Sequence, residues 1–329
     1  MVVVNQRALP SQRESFTLLF FVNFETQYGR RMSSYRSTVR NIAEIVKARY
    51  VFPGTAERVR DYLIARSEAG VYDALGADKV AAQLTDDLRS ASNDLHLRVR
   101  YSTVPHKPET PGEIVREQND RAEHCRNVGY GIGPVQRTAS GIDVLGIGEL
   151  VEPALSSTAY RSALESVADA KALVIDLRHC VGGDPSTVAL VCSHLFDTPI
   201  QLSSIVPRAA PEEHFWAEPS LYNLRFGGRK PLFVLVAKFT FSGAEMLAYD
   251  LQAAGRATVV GTVTGGGANP CVFHWPTPHF SLLLPEASTV SPITATNWEG
   301  RGVVPDLACP ESEALRVALA LADQHEGNA

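Results

Sequence analysis

Apolar residues recur at helical spacing in the first third of the chain and in unbroken runs further on. Val39, Ile42, Ile45 and Val46 share one helix face, as do Val59, Tyr62 and Leu63, and again Val80, Leu84 and Leu88. Pro53-Gly54 and the glycines at 70 and 76 separate the three stretches. Residues 33–102 therefore read as a three-helix domain that ends in an alternating strand, Leu97 to Tyr101. Residues 103–127 are polar and contain proline, which predicts a linker with one short helix. Residues 128–329 read as an α/β core. Strands are expected between Val135 and Leu150, then over Ala172–Leu177 and Leu232–Ala237, whose continuous apolar runs suit strands buried on both faces. Met246–Ala254 has helical spacing and is closed by Gly255.

Three of these strands run into loops with chemical potential. One ends at Gly182-Gly183 and a second, through Val259-Val260, at Gly265-Gly266-Gly267. The third ends at Lys238-Phe239-Thr240-Phe241, followed by Ser242-Gly243 at the start of a helix. In open α/β sheets, ligands bind at the carboxyl ends of strands. Glycine loops can present bare amides to a ligand, and the first amides of a helix favour an anion. A serine at such a turn has the setting of a nucleophile. Serine is equally a favoured N-cap, and this segment alone fits both roles.

The ordered set DLRxxxGG (176–183), TFSGAE (240–245), VGTVTGGGANP (260–270) and NWEGRGVVPD (297–306) resembles the tail-specific, C-terminal processing protease family. Within it, the chain is most similar to the branch that includes the interphotoreceptor retinoid-binding protein modules and the tricorn core protease. The resemblance implies a crotonase-like α/β core behind an N-terminal three-helix domain, and hydrolysis of peptide bonds through Ser242. It implies an oxyanion hole from Gly182 or Gly183 together with Gly243, beside the loop of Gly265, Gly266 and Gly267 that would line the substrate. The Ser–Lys branch of the family has a lysine in that loop; here there is none, and Lys238 precedes the serine instead. The other branch implies His96, in DLHLRVRY, as the base and Glu299 as its carboxylate. A serine that bridges the two in tricorn is replaced by Leu95, which leaves another group, Asp94 or water to orient His96. Asp176 and Arg178 are read as an ion pair or loop anchor. The segment between Tyr101 and Val135 is shorter than a typical domain, so no PDZ domain is expected there.

Composition adds exclusions. The net charge is −5 and the pI near 6.0, without the basic footprint of a nucleic-acid binder. Five scattered cysteines indicate neither a disulfide framework nor a zinc site, and the nine histidines do not cluster along the chain, His274 and His279 reading as loop residues. No cofactor is implied. The expected partner is a peptide or small acyl substrate; a homo-oligomer stays open. Residues 1–32 read as an N-terminal extension. Its apolar stretch, Phe16–Phe24, is too short to span a bilayer and has no small-residue cleavage site after it, which favours a cytoplasmic protein. The alternatives to a peptidase are a carrier of an apolar ligand, or ester or lactone hydrolysis or cyclisation at the same serine.

Overall fold

The computed structural model describes residues 35–108 and 110–326, so the expected extension over 1–32 lies outside the described residues. Three helices come first: α1 (Arg36–Arg49), α2 (Pro53–Glu68) and α3 (Ala77–Ser92). Of the positions that define their periodicity in sequence, Val39, Ile42, Val46, Val59, Leu63, Val80, Leu84 and Leu88 are fully buried, whereas Ile45 is partly buried and Tyr62 is exposed. Strand β1 (Arg98–Tyr101) follows. The expected linker contains a full 17-residue helix, α4 (Pro111–Asn127). Thr110 and Glu113 close its first turn reciprocally, and Cys125 is its single buried residue, so a helix lying almost wholly in solvent has no apolar stripe to read.

The remaining elements are β2 (Gln136–Arg137), β3 (Ile142–Gly146), α5 (Pro153–Ser166), β4 (Ala172–Asp176), α6 (Pro185–Ser193), β5 (Ile200–Pro207), β6 (Glu213–Ala217), β7 (Leu232–Val236), α7 (Gly243–Ala253), β8 (Thr258–Gly261), β9 (Cys271–Thr277), β10 (Phe280–Pro285), β11 (Ala287–Val290), β12 (Leu307–Ala308) and α8 (Ala314–Glu326). A six-stranded sheet runs in the order β12-β8-β7-β4-β3-β2, parallel except for β2. Alternate residues of its central strands enter different cores. Leu173, Ile175, Val234, Val236 and Val259 pack toward α5, α6 and α7; Ala172, Val174, Phe233, Leu235 and Val260 pack under α8. Burial on both faces explains why these strands read as continuous apolar runs. Each such Val or Leu side chain contributes roughly 1.5–3 kcal/mol.

The helical segment is joined to the rest through a second sheet, β1-β10-β9, because Phe280, Leu282 and Leu284 of β10 fill the core formed by α1–α3. His274 lies in β9 rather than in a loop, with Nε2 2.7 Å from Glu286. Pro276 is tolerated in that strand because β9 is the sheet's edge. A third sheet, β11-β5-β6, joins the strands of residues 200–217 to β11. Adjacency of β4, β7 and β8 has the main functional consequence: the loops after them emerge side by side at one end of the sheet.

Candidate active site

Ser242 stands between β7 and α7 with φ 55° and ψ −123°, one of four non-glycine residues at positive φ among the described residues. Such backbone costs on the order of 1–3 kcal/mol and marks strand-to-helix turns that display a nucleophile. Several bonds hold the turn. Thr240 Oγ1 donates to Leu177 O and accepts from Ala237 N, and Phe241 N donates to Cys180 O. The Gly182-Gly183 segment lies directly against it. A Cβ on Gly182 would stand 2.7 Å from Phe241 O and 2.8 Å from Gly243 N; one on Gly243 would stand 2.7 Å from Gly183 O and 3.0 Å from Gly183 N. No residue larger than glycine fits at these three positions. Gly182 and Gly183 also hold φ of 106° and 147°, in the region that favours glycine.

Two backbone nitrogens lie at this contact, those of Gly183 and Gly243. Gly243 is the first residue of α7, so its N–H has no partner within the helix. The parallel bridge between Leu150 and Gly183 uses Gly182 O and Asp184 N, which turns Gly183 N away from Leu150. Asp176 and Arg178 form a bidentate pair, and Arg178 also donates to Glu311 O, so they anchor the loop as the sequence reading has it.

His96 follows the left-handed cap of α3 at Asn93 and is 6% exposed. Its Nδ1 lies 3.2 Å from Asp94 Oδ1 and 3.5 Å from Glu299 Oε1. Asp94 Oδ1 also accepts from His96 N, and Asp94 Oδ2 accepts from Tyr50 OH. Glu299 Oε2 accepts from Ala268 N and Asn269 N, whereas Oε1 is buried without a formed hydrogen bond, 3.5 Å from Nδ1 of the imidazole. Two acceptors at Nδ1 fix the proton there and leave Nε2 as the basic nitrogen. The ring lies 5.2 Å, centroid to centroid, from that of Phe241, the residue before Ser242. Burial disfavours the imidazolium, but hydrogen bonds and charge from Asp94 and Glu299 outweigh it and lift the His96 pKa to about 9. Leu95 is half exposed and takes no part, so the missing bridge does not separate His96 from Glu299: the two stand next to each other.

The Gly265–Gly267 loop differs from the expected bare lining of a substrate groove. Gly265 N donates to Thr240 O, while Gly266 N and Gly267 N donate to Glu245 at 2.7 and 2.8 Å. The side chain of Phe241 presses on Gly265 and Gly267, where a Cβ would collide with its ring. The loop is an internal spacer because a buried carboxylate claims its amides. That carboxylate, Glu245, has no role in the sequence reading. The Ser-x-x-Glu spacing at a helix start was the available signal. Lys238 Nζ donates to Thr264 O at 3.3 Å.

Asp94, His96 and Glu299 bring three potential ligand atoms within 4.8 Å of one another, the one such group among the described residues. Their spacing along the chain does not betray it. These atoms could hold a divalent cation, though the hydrogen bonds to Tyr50, Ala268 and Asn269 already account for both carboxylates' placement. A narrow cavity of about 20 Å³ opens against Ser242 and Gly243, lined by Pro185, Met246, Ala268 and Trp298, among others. It adjoins a hollow of about 430 Å³ through Ile205 and Pro270. Among the described residues, no helix is long and apolar enough to cross a membrane.

Comparison with known proteins agrees with this picture. Residues 147–309 match the model of peptidase family S41, and residues 32–128 match the N-terminal domain of Peptidase_S41 in eukaryotic IRBP. A protein from Parabacteroides merdae assigned as a peptidase is similar in fold, with a TM-score of 0.64 at 16% identity over 88% of this chain and 97% of that one. The photosystem II D1 C-terminal processing protease gives 0.54 at 14% identity, over 88% of this chain and 98% of that one. The tricorn protease gives 0.59 at 10% identity, over 89% of this chain and 37% of the much longer tricorn chain. With both family models in sequence order and between them covering most of its length, the chain belongs to peptidase family S41.

Proposed function

We propose that this S41 member is a serine hydrolase, most simply a peptidase, in which Ser242 is the nucleophile and His96 the base. The observation that carries the reading is the placement of His96, with Nδ1 faced by Asp94 and Glu299 and its ring against Phe241, one residue from Ser242. A serine hydroxyl is a poor nucleophile unless a base takes its proton. In the proposed cycle, Nε2 of His96 accepts the Ser242 proton as Oγ attacks the scissile carbonyl. The negative oxygen of the tetrahedral intermediate is held by the amides of Gly183 and Gly243, with Gly182 shaping the turn. Each such donor contributes about 3–4 kcal/mol to the transition state. His96 then passes the proton to the leaving amine, and water hydrolyses the acyl-enzyme by the reverse sequence. Asp94 and Glu299 hold the tautomer and stabilise the imidazolium. The bond from Lys238 to a backbone carbonyl supports a Ser–His over a Ser–Lys design.

The further divisions belong to the same proposal: a helical domain over 33–102, a linking segment over 103–127 and a crotonase-like core over 128–329 without a PDZ domain. The order of the parallel strands and the position of Ser242 after β7 support it. Carriage of an apolar ligand is disfavoured by the site's shape. Ligand sites usually measure roughly 300–1,000 Å³ and are mostly apolar. The cavity at Ser242 is far smaller; the adjoining hollow reaches that volume, but Arg49, Arg208, Glu213 and Glu286 contribute to its lining. Rapid acid quenching during turnover of an activated ester or peptide, followed by mass spectrometry, tests the proposal. An acyl group on Ser242 is expected; turnover with no acyl adduct at that residue would overturn it.

A further inference from the structure

The segment Thr264–Asn269 is gripped by two carboxylates in succession. Glu245, fully buried at the third position of α7, accepts four hydrogen bonds and has no free lone pair. Its Oε2 accepts from Ser242 N at 2.9 Å and Gly267 N at 2.8 Å. Its Oε1 accepts from Gly266 N at 2.7 Å and from the hydroxyl of Thr264. The next two amides of the segment, Ala268 N and Asn269 N, donate to Glu299. The segment's carbonyls hold the Glu299 loop as well: Trp298 Nε1 donates to Gly267 O and Gly300 N to Gly266 O. Thr264 also accepts from Val303 N. A single strap thus runs from the serine turn to the carboxylate behind His96.

We infer that Glu245 is a positioning residue: through the 264–269 strap it sets the distance of Glu299 from His96 relative to the Ser242 turn. The inference rests on the proposed Ser–His reading. Every donor to Glu245 comes from the serine turn or the strap, so its carboxylate locks those two elements together. Burying a carboxylate is costly unless it is fully hydrogen-bonded, and this one is. Because Gly266, Gly267, Ala268 and Asn269 are consecutive, slack at Glu245 passes along the backbone to the amides that hold Glu299. A shift there matters because Glu299 Oε1 stands at 3.5 Å from Nδ1, where small displacements change its influence on the imidazole.

The test is the pH dependence of Ser242 labelling by a fluorophosphonate, whose acid limb reports His96. The groups facing that imidazole are Asp94 from its own turn and Glu299, with Tyr50 behind Asp94 and Cys271 of β9 near both carboxylates. Asp94 and Tyr50 lie outside the strap, whereas Cys271 Sγ donates to Asn269 O at its end. Glu299→Gln removes the charge and should lower the acid limb by roughly one pH unit or more. Glu245→Gln, which turns a donor toward amides that need an acceptor, should lower the limb in the same direction. The double variant should fall no lower than Glu299→Gln alone, because both act on one interaction. Thr264→Val should give a partial shift, and Thr264→Ser should restore the wild-type limb. A Glu245→Gln protein that labels more slowly with an unmoved acid limb would reduce Glu245 to a stabilising role and overturn the inference. If that variant yields no folded protein, the Thr264→Val profile decides by the same criterion. Wild type that labels at no pH overturns the Ser–His reading, and the inference with it.

Discussion

Nδ1 of His96 and Oε1 of Glu299 stand 3.5 Å apart with no side chain between them, and Asp94 shares the same ring nitrogen at 3.2 Å. The proposed base therefore has two carboxylate neighbours instead of a serine-bridged one. Its pKa of about 9 means that near neutral pH most His96 carries a proton and cannot accept one from Ser242. Turnover should rise with pH and level off only above about 9. Glu299→Gln and Asp94→Asn should each move that rise to lower pH, because losing a nearby negative charge lowers the imidazole pKa. Each should also reduce the plateau kcat, by less than the loss of Ser242. A kcat–pH profile unchanged in both variants would place the carboxylates outside the mechanism.

The folded pKa of His96 lies above the ordinary value of 6.5, so its charged form also stabilises the fold. That contribution is complete below about pH 6.5 and is lost as pH rises through about 9. Catalysis and stability thus pull in opposite directions across this window. Thermal melts should show His96→Ala losing less stability relative to wild type at pH 9.5 than at pH 6.

Asp250 supplies a second pH dependence, away from the serine. It is buried on α7, accepts from Ser203 N and Oγ, and burial raises its pKa to about 7 despite those bonds. A carboxyl raised on folding contributes stability that is present below its unfolded pKa and lost as pH rises through 7. Asp250→Asn keeps an acceptor for Ser203 and removes the titration. Its melting temperature should vary less between pH 5 and 8 than that of wild type, with the advantage growing toward pH 8. A parallel pH dependence in both proteins would show that Asp250 is not the group responsible.

Metal removal should leave the rate unchanged. Asp94, His96 and Glu299 approach one another closely enough to hold a cation, but in the proposed cycle they act by orienting and charging an imidazole. EDTA should not lower turnover, and a cation that binds the trio should inhibit by taking His96 out of use. Loss of activity with EDTA that zinc restores would reverse this assignment.

Much of this layout was legible in the chain. The strands β4, β7 and β8 announce themselves because both faces are buried, leaving no polar alternation to confuse them. Their parallel adjacency brings the three loops together, which sequence order suggests and pairing completes. The helix α4 was partly hidden because it buries only Cys125. His274 was misread because two nearby prolines suggest a loop, whereas an edge strand accommodates Pro276. The Gly265–Gly267 amides looked free because the carboxylate that occupies them, Glu245, belongs to another motif and meets them only in the folded chain. For a similar reason Leu95 suggested that another group, Asp94 or water orients His96: Glu299 approaches His96 through contacts distant in sequence, which no local spacing records.

Ser242 and His96 should behave as one unit. Ser242→Ala and His96→Ala should each remove nearly all activity, and the double variant should be little worse than either, since members of a catalytic unit are not additive. The most direct measurement is fluorophosphonate labelling of the folded protein at pH 9, with the modified residue mapped by mass spectrometry. One adduct is expected, on Ser242, formed far more slowly in His96→Ala. Folded wild-type protein that stays unlabelled, or labelling of Ser242 at an equal rate without His96, would contradict it.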